Sequence, residues 1–212
     1  VEFNPMMIVH GEQYLEIRKP IPTAATITCY PKVSQVYDKG SGMLIVTDTL
    51  CCDESGAEIT LNQSSMFIRG LGGYGGERGT SSDANVPPDR PADAIDEYRV
   101  LPQQALLYRL SGDINPLHAD PQMAAIGGFD RPILHGLCTF GIAGRAVLRH
   151  FCGNDPARFR SIRVRFSKHV FPGETVRTEM WQVAADRVLF RTTVVERGEV
   201  ALSHAAVELN PV

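Results

Sequence analysis

The run Tyr108-Arg109-Leu110-Ser111-Gly112-Asp113-Ile114-Asn115-Pro116-Leu117-His118 places a carboxylate, a carboxamide and an imidazole within six residues. On a continuous helix, Asp113 and His118 would face in different directions. Pro116 prevents that helix and biases Asn115 toward an extended conformation. The chain must therefore turn, and a turn can gather Asp113, Asn115 and His118 around one point. Seventeen residues after His118 comes His135-Gly136-Leu137-Cys138-Thr139-Phe140-Gly141, which opens an apolar helical pattern. The first N–H groups of a helix are unpaired and lie at the positive end of its dipole. A glycine there lets a polar oxygen approach without a Cβ clash. Acid, base and oxyanion donor together describe an enzyme. Gly112 to Pro116 alone would be an ordinary turn; His118 and the glycine-led helix make it a candidate site. His135 reads as a packing residue, as does His204 in its strand. His150 and His169 read as helix-end and loop residues, and Trp181 and Phe151 as core.

Several elements must position these groups. Residues 161–166, 174–183, 188–196 and 200–209 read as strands rich in β-branched and aromatic residues, separated by Pro172-Gly173 and Arg197-Gly198-Glu199. Residues 14–18, 25–36, 43–51 and 59–69 repeat the theme, which predicts two copies of one unit. A helix precedes the second set, with Leu137, Phe140, Ile142, Ala143, Val147 and Leu148 on a broad apolar face and Gly144 permitting close approach. The first set has only about a dozen residues before it and no such helix, so that copy is expected to be incomplete at its N-terminus. Between the sets, Gly70-Leu71-Gly72-Gly73-Tyr74-Gly75 matches a dinucleotide fingerprint literally. The glycines and prolines that follow deny it the helix that would hold a pyrophosphate, so the stretch reads as linker.

The two motifs together resemble those of the (R)-specific enoyl-CoA hydratases, the hydratase 2 or MaoC-like group of hot-dog-fold proteins. Val9-His10-Gly11-Glu12-Gln13-Tyr14, Asp38-Lys39-Gly40-Ser41-Gly42 and Arg165-Phe166-Ser167-Lys168 are similar to the hydratase 2 domains of peroxisomal multifunctional enzymes. The resemblance therefore runs over essentially the whole chain. It implies an α+β double hot-dog fold, in which an antiparallel sheet wraps a long helix. Residues 1–70 would be a partial substrate-binding unit, 71–97 a linker and 98–212 the catalytic unit. It further implies reversible hydration of trans-2-enoyl-CoA to (R)-3-hydroxyacyl-CoA, with Asp113 and His118 as catalytic pair and Gly136 as oxyanion donor. Asn115 would fix the water or the histidine. His10 and Gly11 would lie near the substrate, Lys39 at a CoA phosphate, and Ile114, Pro116 and Leu117 along the substrate. Phe166 would cover the thioester arm, with Arg165 and Lys168 as further phosphate candidates. No metal or redox cofactor is implied. The alternatives are dehydration of a 3-hydroxyacyl group on acyl carrier protein and a non-catalytic acyl-CoA-binding module.

Composition is ordinary for a globular protein, and the phosphates of an anionic CoA substrate would need a local cluster of Lys and Arg. A chain of 212 residues with 43% hydrophobic and 21% charged residues has ample length for a core. Its net charge of −3 supplies no basic field for nucleic acid or an anionic membrane. The apolar run 134–147 is too short to span a bilayer. Five cysteines without metal-site spacing suggest reduced thiols in an intracellular compartment, a bacterial cytoplasm or a peroxisome. A sheet with an edge and a face to cover makes a homodimer the expected assembly.

Overall fold

The computed structural model describes residues 7–79 and 84–211. The strands are β1 (Ile8–Ile17), β2 (Thr28–Asp38), β3 (Gly42–Cys52), β4 (Glu58–Arg69), β5 (Ala94–Arg99), β6 (Phe159–Phe166), β7 (Thr175–Ala184), β8 (Arg187–Val194) and β9 (Glu199–Leu209). They form one sheet, ordered β2-β3-β4-β1-β6-β9-β8-β7-β5, in which every neighbouring pair is antiparallel. The order reads outward from the β1–β6 seam as β1-β4-β3-β2 on one side and β6-β9-β8-β7 on the other. The two sets of four strands thus have the same connectivity, as the repeated sequence pattern requires.

Two short helices, α1 (Gln104–Tyr108) and α2 (Pro121–Ile126), precede the long helix α3 (Gly136–Phe151). The helix buries Cys138, Thr139, Ala143, Ala146 and Val147, a narrower and smaller-residue face than the apolar pattern suggests. Ala143, Ala146 and Val147 pack with Ile162, Val164, Met180, Val188, Phe190, Leu202, Ala205 and Val207 from the strands of the second half. Fully burying an aliphatic or aromatic side chain of this kind contributes roughly 1.5–3 kcal/mol. A second cluster joins Val100, Ala105, Leu134 and Cys138 to Val170, Val176, Val194 and Ala201 beneath the start of α3. It fixes the helix N-terminus. Gly144 is not required for close approach, since a methyl there would sit at an ordinary 3.5 Å from Ile162.

The first half is built differently. Among the described residues, both buried clusters lie in the second half, and β1 adds only the partly buried Leu15 to one of them. Edge strand β2 leaves Tyr30, Val33 and Val36 exposed. Among the described residues, no helix is long and apolar enough to cross a membrane.

Strand β5 is an addition to the sequence reading, and its first residues fall where a linker was expected. Its alternation is obscured by Asp96, which turns inward although it is charged. Asp96 is buried and is met by Arg145, Arg149 and His150 from the outer side of α3 at 3.3–3.4 Å. His150 is therefore a strand-to-helix latch. His204, expected to be packed within a regular strand, instead has φ +48° at a bulge in β9.

Candidate active site

Gly112, with φ +110°, ends the 3-10 turn of Arg109–Ser111 in a conformation that favours glycine, and so throws the chain back at Asp113. The Asn115 N–H donates to Asp113 Oδ1 at 3.2 Å. The Asn115 side chain in turn accepts from the Leu117 N–H at 3.1 Å and caps a second 3-10 turn, Pro116–His118, whose first residue is proline. Asn115 thus spends its carbonyl oxygen on holding the turn that presents His118. Leu117 packs toward Gly127, while Ile114 and Pro116 remain exposed beside Asp113.

His118 is buried, and its Nδ1 lies 2.8 Å from the Ile133 carbonyl. A carbonyl only accepts, so Nδ1 carries the proton and Nε2 keeps its lone pair. Burial is the main cause that pushes the His118 pKa down, against the Ile133 hydrogen bond and the Asp113 charge, which raise it. The ring is therefore a neutral base at neutral pH. His135 is only 1% exposed, and its Nε2–H donates to the backbone carbonyl of Asp113 at 3.1 Å. Its Nδ1 is buried without a partner. Burial and the neighbouring His118 push its pKa down. His135 is thus more than packing: it ties the Asp113 turn to the start of α3. Tyr108, whose ring centroid lies 4.7 Å from that of His135, closes the other side. The sequence reading gave it no role.

The acid and base meet. Ligating atoms of Asp113, His118 and His135 all lie within 4.8 Å of one another. Such a set can approach a cation, but His118 Nδ1 and His135 Nε2 are already committed to carbonyls. What remains is an exposed carboxylate beside two imidazoles that each keep one unprotonated nitrogen, which suits a water molecule and proton transfer.

Gly136 is the first residue of α3, with His135 at the N-cap position. The N–H groups of Gly136 and Leu137 have no carbonyl within their own helix to bind. A Cβ at Gly136 would stand 3.1 Å from Cε1 of Phe166, at the end of β6. Phe166 also lies against His10, ring centroids 4.7 Å apart. His10 and Gly11 sit at a bulge in β1, where the register with β4 shifts. Burial lowers the His10 pKa, and its Nε2 lies 3.2 Å from the Glu12 carbonyl. One row of contacts therefore runs from the first half, through His10 and Phe166, to Gly136.

Lys39 is not part of that row. It occupies the β2–β3 turn, at the same sheet end as His10 but three strands away, or about 14 Å at ~4.8 Å per strand. Its Nζ donates to the Arg78 carbonyl. Arg165 pairs with Glu12 at 2.9 Å and Lys168 with Glu199 at 3.7 Å. The glycine-rich run finds its purpose here: Asp38 accepts from the N–H groups of Gly40, Gly73 and Gly75, each at 2.8 Å. A Cβ at Gly72 would lie 2.2 Å from the Gly40 carbonyl oxygen, so the loop can close only without one. Those bonds hold the Asp38 carboxyl well below its ordinary value, at about 2.

An antiparallel sheet on one long helix, with a carboxylate–imidazole pair at that helix's N-terminus, defines a hot-dog protein of the MaoC-like dehydratase class. The MaoC like domain family matches residues 83–205, and the chain belongs to it. Residues 1–70 match the MFE-2 hydratase 2 N-terminal domain.

Relatives refine the placement. The chain is 47% identical to a probable enoyl-CoA hydratase 2 of Dictyostelium discoideum, over 100% of this chain and 73% of that protein. It is 48% identical to the peroxisomal multifunctional enzyme type 2 of Mus musculus, over 100% of this chain but only 29% of that much longer protein. Among solved structures, a MaoC-like dehydratase from Phytophthora capsici superposes with a TM-score of 0.93 at 47% identity. That match covers 99% of this chain and 71% of the other.

Proposed function

We infer that the chain catalyses reversible hydration of trans-2-enoyl-CoA to (R)-3-hydroxyacyl-CoA. The observation that carries this reading is the His118 ring, fixed by the Ile133 carbonyl and with a ring nitrogen within 4.8 Å of an Asp113 carboxylate oxygen. The names of the hydratase 2 relatives support the enoyl-CoA substrate class, and the (R) stereochemistry is what the family resemblance implies.

A water held between Asp113 and His118 loses a proton to Nε2 as its oxygen attacks Cβ. The thioester oxygen takes up the enolate charge against the Gly136 N–H, where loss of one donor typically costs on the order of 10²–10³ in rate. The Asp113 carboxylate takes that proton from the His118 imidazolium and relays it to Cα, which returns both groups to their starting state. Asn115 acts through the turn it caps. No step needs a metal or a redox cofactor.

Substrate contacts follow from the row His10–Phe166–Gly136. The bulged backbone at His10 and Gly11 offers amides to the pantetheine arm, and Phe166 covers the thioester. Ile114, Pro116 and Leu117 line the acyl side. Lys39 serves a CoA phosphate from the β2–β3 turn, three strands across the sheet from His10. The two matching sets of strands are read as two hot-dog units, with residues 1–70 binding substrate, 71–97 connecting and 98–212 carrying the chemistry. A homodimer and a peroxisomal or cytoplasmic setting complete the proposal; the peroxisomal option is supported by relatives of that name.

The test is loss of enoyl absorbance with crotonyl-CoA and trans-2-decenoyl-CoA, followed by chiral analysis of the product. Turnover to the (R)-alcohol is expected. CoA binding without turnover, or an (S)-product, overturns the reading.

A further inference from the structure

Far from the chemistry just described, two thiols stand in apposition on the free edge of the sheet. Cys29 on β2 is the direct antiparallel partner of Cys51 on β3. Their Sγ atoms lie 3.4 Å apart, and neither is in a disulfide. We propose that Cys29 and Cys51 form a reversible, oxidation-dependent disulfide that fastens edge strand β2 to the sheet.

Three features single out this pair. Directly opposed residues of an antiparallel ladder have Cβ atoms about 4.5–5.5 Å apart, and a disulfide needs about 3.5–4.5 Å, so a local shift of an ångström suffices. Strand β2 can make that shift, because it is bonded only to β3 and all but its last two residues are exposed. Oxidant can also reach the pair, since Cys29 is exposed although Cys51 is buried.

The competing thiols are badly placed. Cys52 is opposite Thr28, and successive strand residues point to opposite faces. Cys138 and Cys152 are buried in the core clusters of the second half. Asn62 Nδ2 also lies 3.8 Å from Cys51 Sγ.

With hydrogen peroxide as oxidant, one thiolate attacks the O–O bond to give a sulfenic acid and hydroxide. The second thiol then displaces the sulfenic oxygen as water, forming the S–S bond. Two thiols and one peroxide thus yield one disulfide and two waters. The hydrogen bond to Cys51 raises the Cys29 pKa, so formation accelerates as pH rises.

The folded protein is treated with hydrogen peroxide, blocked with an alkylating reagent and digested without reduction. The expected product has lost the mass of two hydrogens and links the Cys29 peptide to the Cys51-Cys52 peptide within one chain. The link should survive Cys52→Ser, vanish in Cys29→Ser and in Cys51→Ser, and reverse with dithiothreitol. Any one of three results overturns the proposal: Cys29 still alkylated in full after peroxide, a link retained in Cys51→Ser, or a covalent dimer through Cys29 as the main product. Mapping of the unsubstituted protein decides the matter even if a serine variant misfolds.

Discussion

His118 and His135 lie ring on ring, their centroids 3.7 Å apart and their planes 27° from parallel. Each donates its single proton to a backbone carbonyl, His118 to Ile133 and His135 to Asp113. Two stacked imidazolium ions at that separation would repel strongly in a buried site, so the neutral forms are the stable ones. Packing and protonation state are thus set by one arrangement.

Its consequence for catalysis is a pH dependence of definite sign. In the proposed mechanism the neutral His118 is the base, and its pKa is lowered from the ordinary 6.5, chiefly by burial. Activity should therefore hold steady as pH falls to 6.5 and decline only below it, as the ring takes up a proton. The kcat/KM profile with crotonyl-CoA measures this directly. An acidic limb centred above 6.5 would contradict the buried, neutral base.

Replacing either partner separates chemistry from folding. Asp113 is exposed, and its side chain accepts from the Asn115 N–H. Asp113→Asn can keep that bond through its amide oxygen, so the melting temperature should be unchanged while kcat falls on the order of 10²–10⁴-fold. His118→Gln should lose activity to a similar degree, with some loss of stability because the Ile133 carbonyl is buried with it. Near-native turnover in both variants would remove these residues from the mechanism.

Much of this was legible in the sequence because chemistry and backbone demands coincide on the same residues. Pro116 forced the turn, Gly112 permitted it, and the glycine after His135 marked the helix start. The strands of the second half declared themselves by β-branched runs. Two features escaped for physical reasons. Strand β5 carries Asp96, whose charge hides the alternation until Arg145, Arg149 and His150 are brought to it by α3. The tie from His135 to the Asp113 carbonyl uses a backbone acceptor, which leaves no mark on the sequence. The glycine-rich run misleads in the same way: its spacing matches a nucleotide motif, whereas its glycines serve a single carboxylate, Asp38.

That carboxylate gives a prediction outside the active site. Asp38→Ala removes the acceptor shared by Gly40, Gly73 and Gly75. The loop should then open, with faster amide exchange and faster proteolytic cutting in residues 70–79, while the core around α3 keeps its protection. The sign of the pH effect is also fixed. A carboxylate held at about 2 contributes its stabilisation fully above the ordinary 3.8 and loses it as pH falls through about 2. Loop protection in the unsubstituted protein should therefore persist to pH 4. Equal exchange in the variant and the parent would show that the loop is held by something else.

A chelator tests how Asp113, His118 and His135 are used. If they hold water, exhaustive chelation leaves kcat unchanged, and added Zn²⁺ inhibits by taking the free Nε2 of His118. Loss of activity on chelation, restored by a metal, would assign the cluster to an ion instead.

The last prediction concerns Gly136, where space and chemistry are bound together. A methyl there would press on Phe166 at 3.1 Å, and in the proposed mechanism it would also stand in the way of the thioester oxygen as it approaches the N–H. Gly136→Ala should cost about 1–3 kcal/mol from overpacking. It should also lower kcat on the order of 10²-fold, as expected for a lost oxyanion donor. The two effects separate in the double variant. Phe166→Ala relieves the contact, so Gly136→Ala should cost less stability in that background than alone. The methyl still blocks the N–H, so kcat should not recover. A double variant that regained kcat would show that crowding by Phe166, rather than the approach of the thioester oxygen, is what glycine is there to avoid.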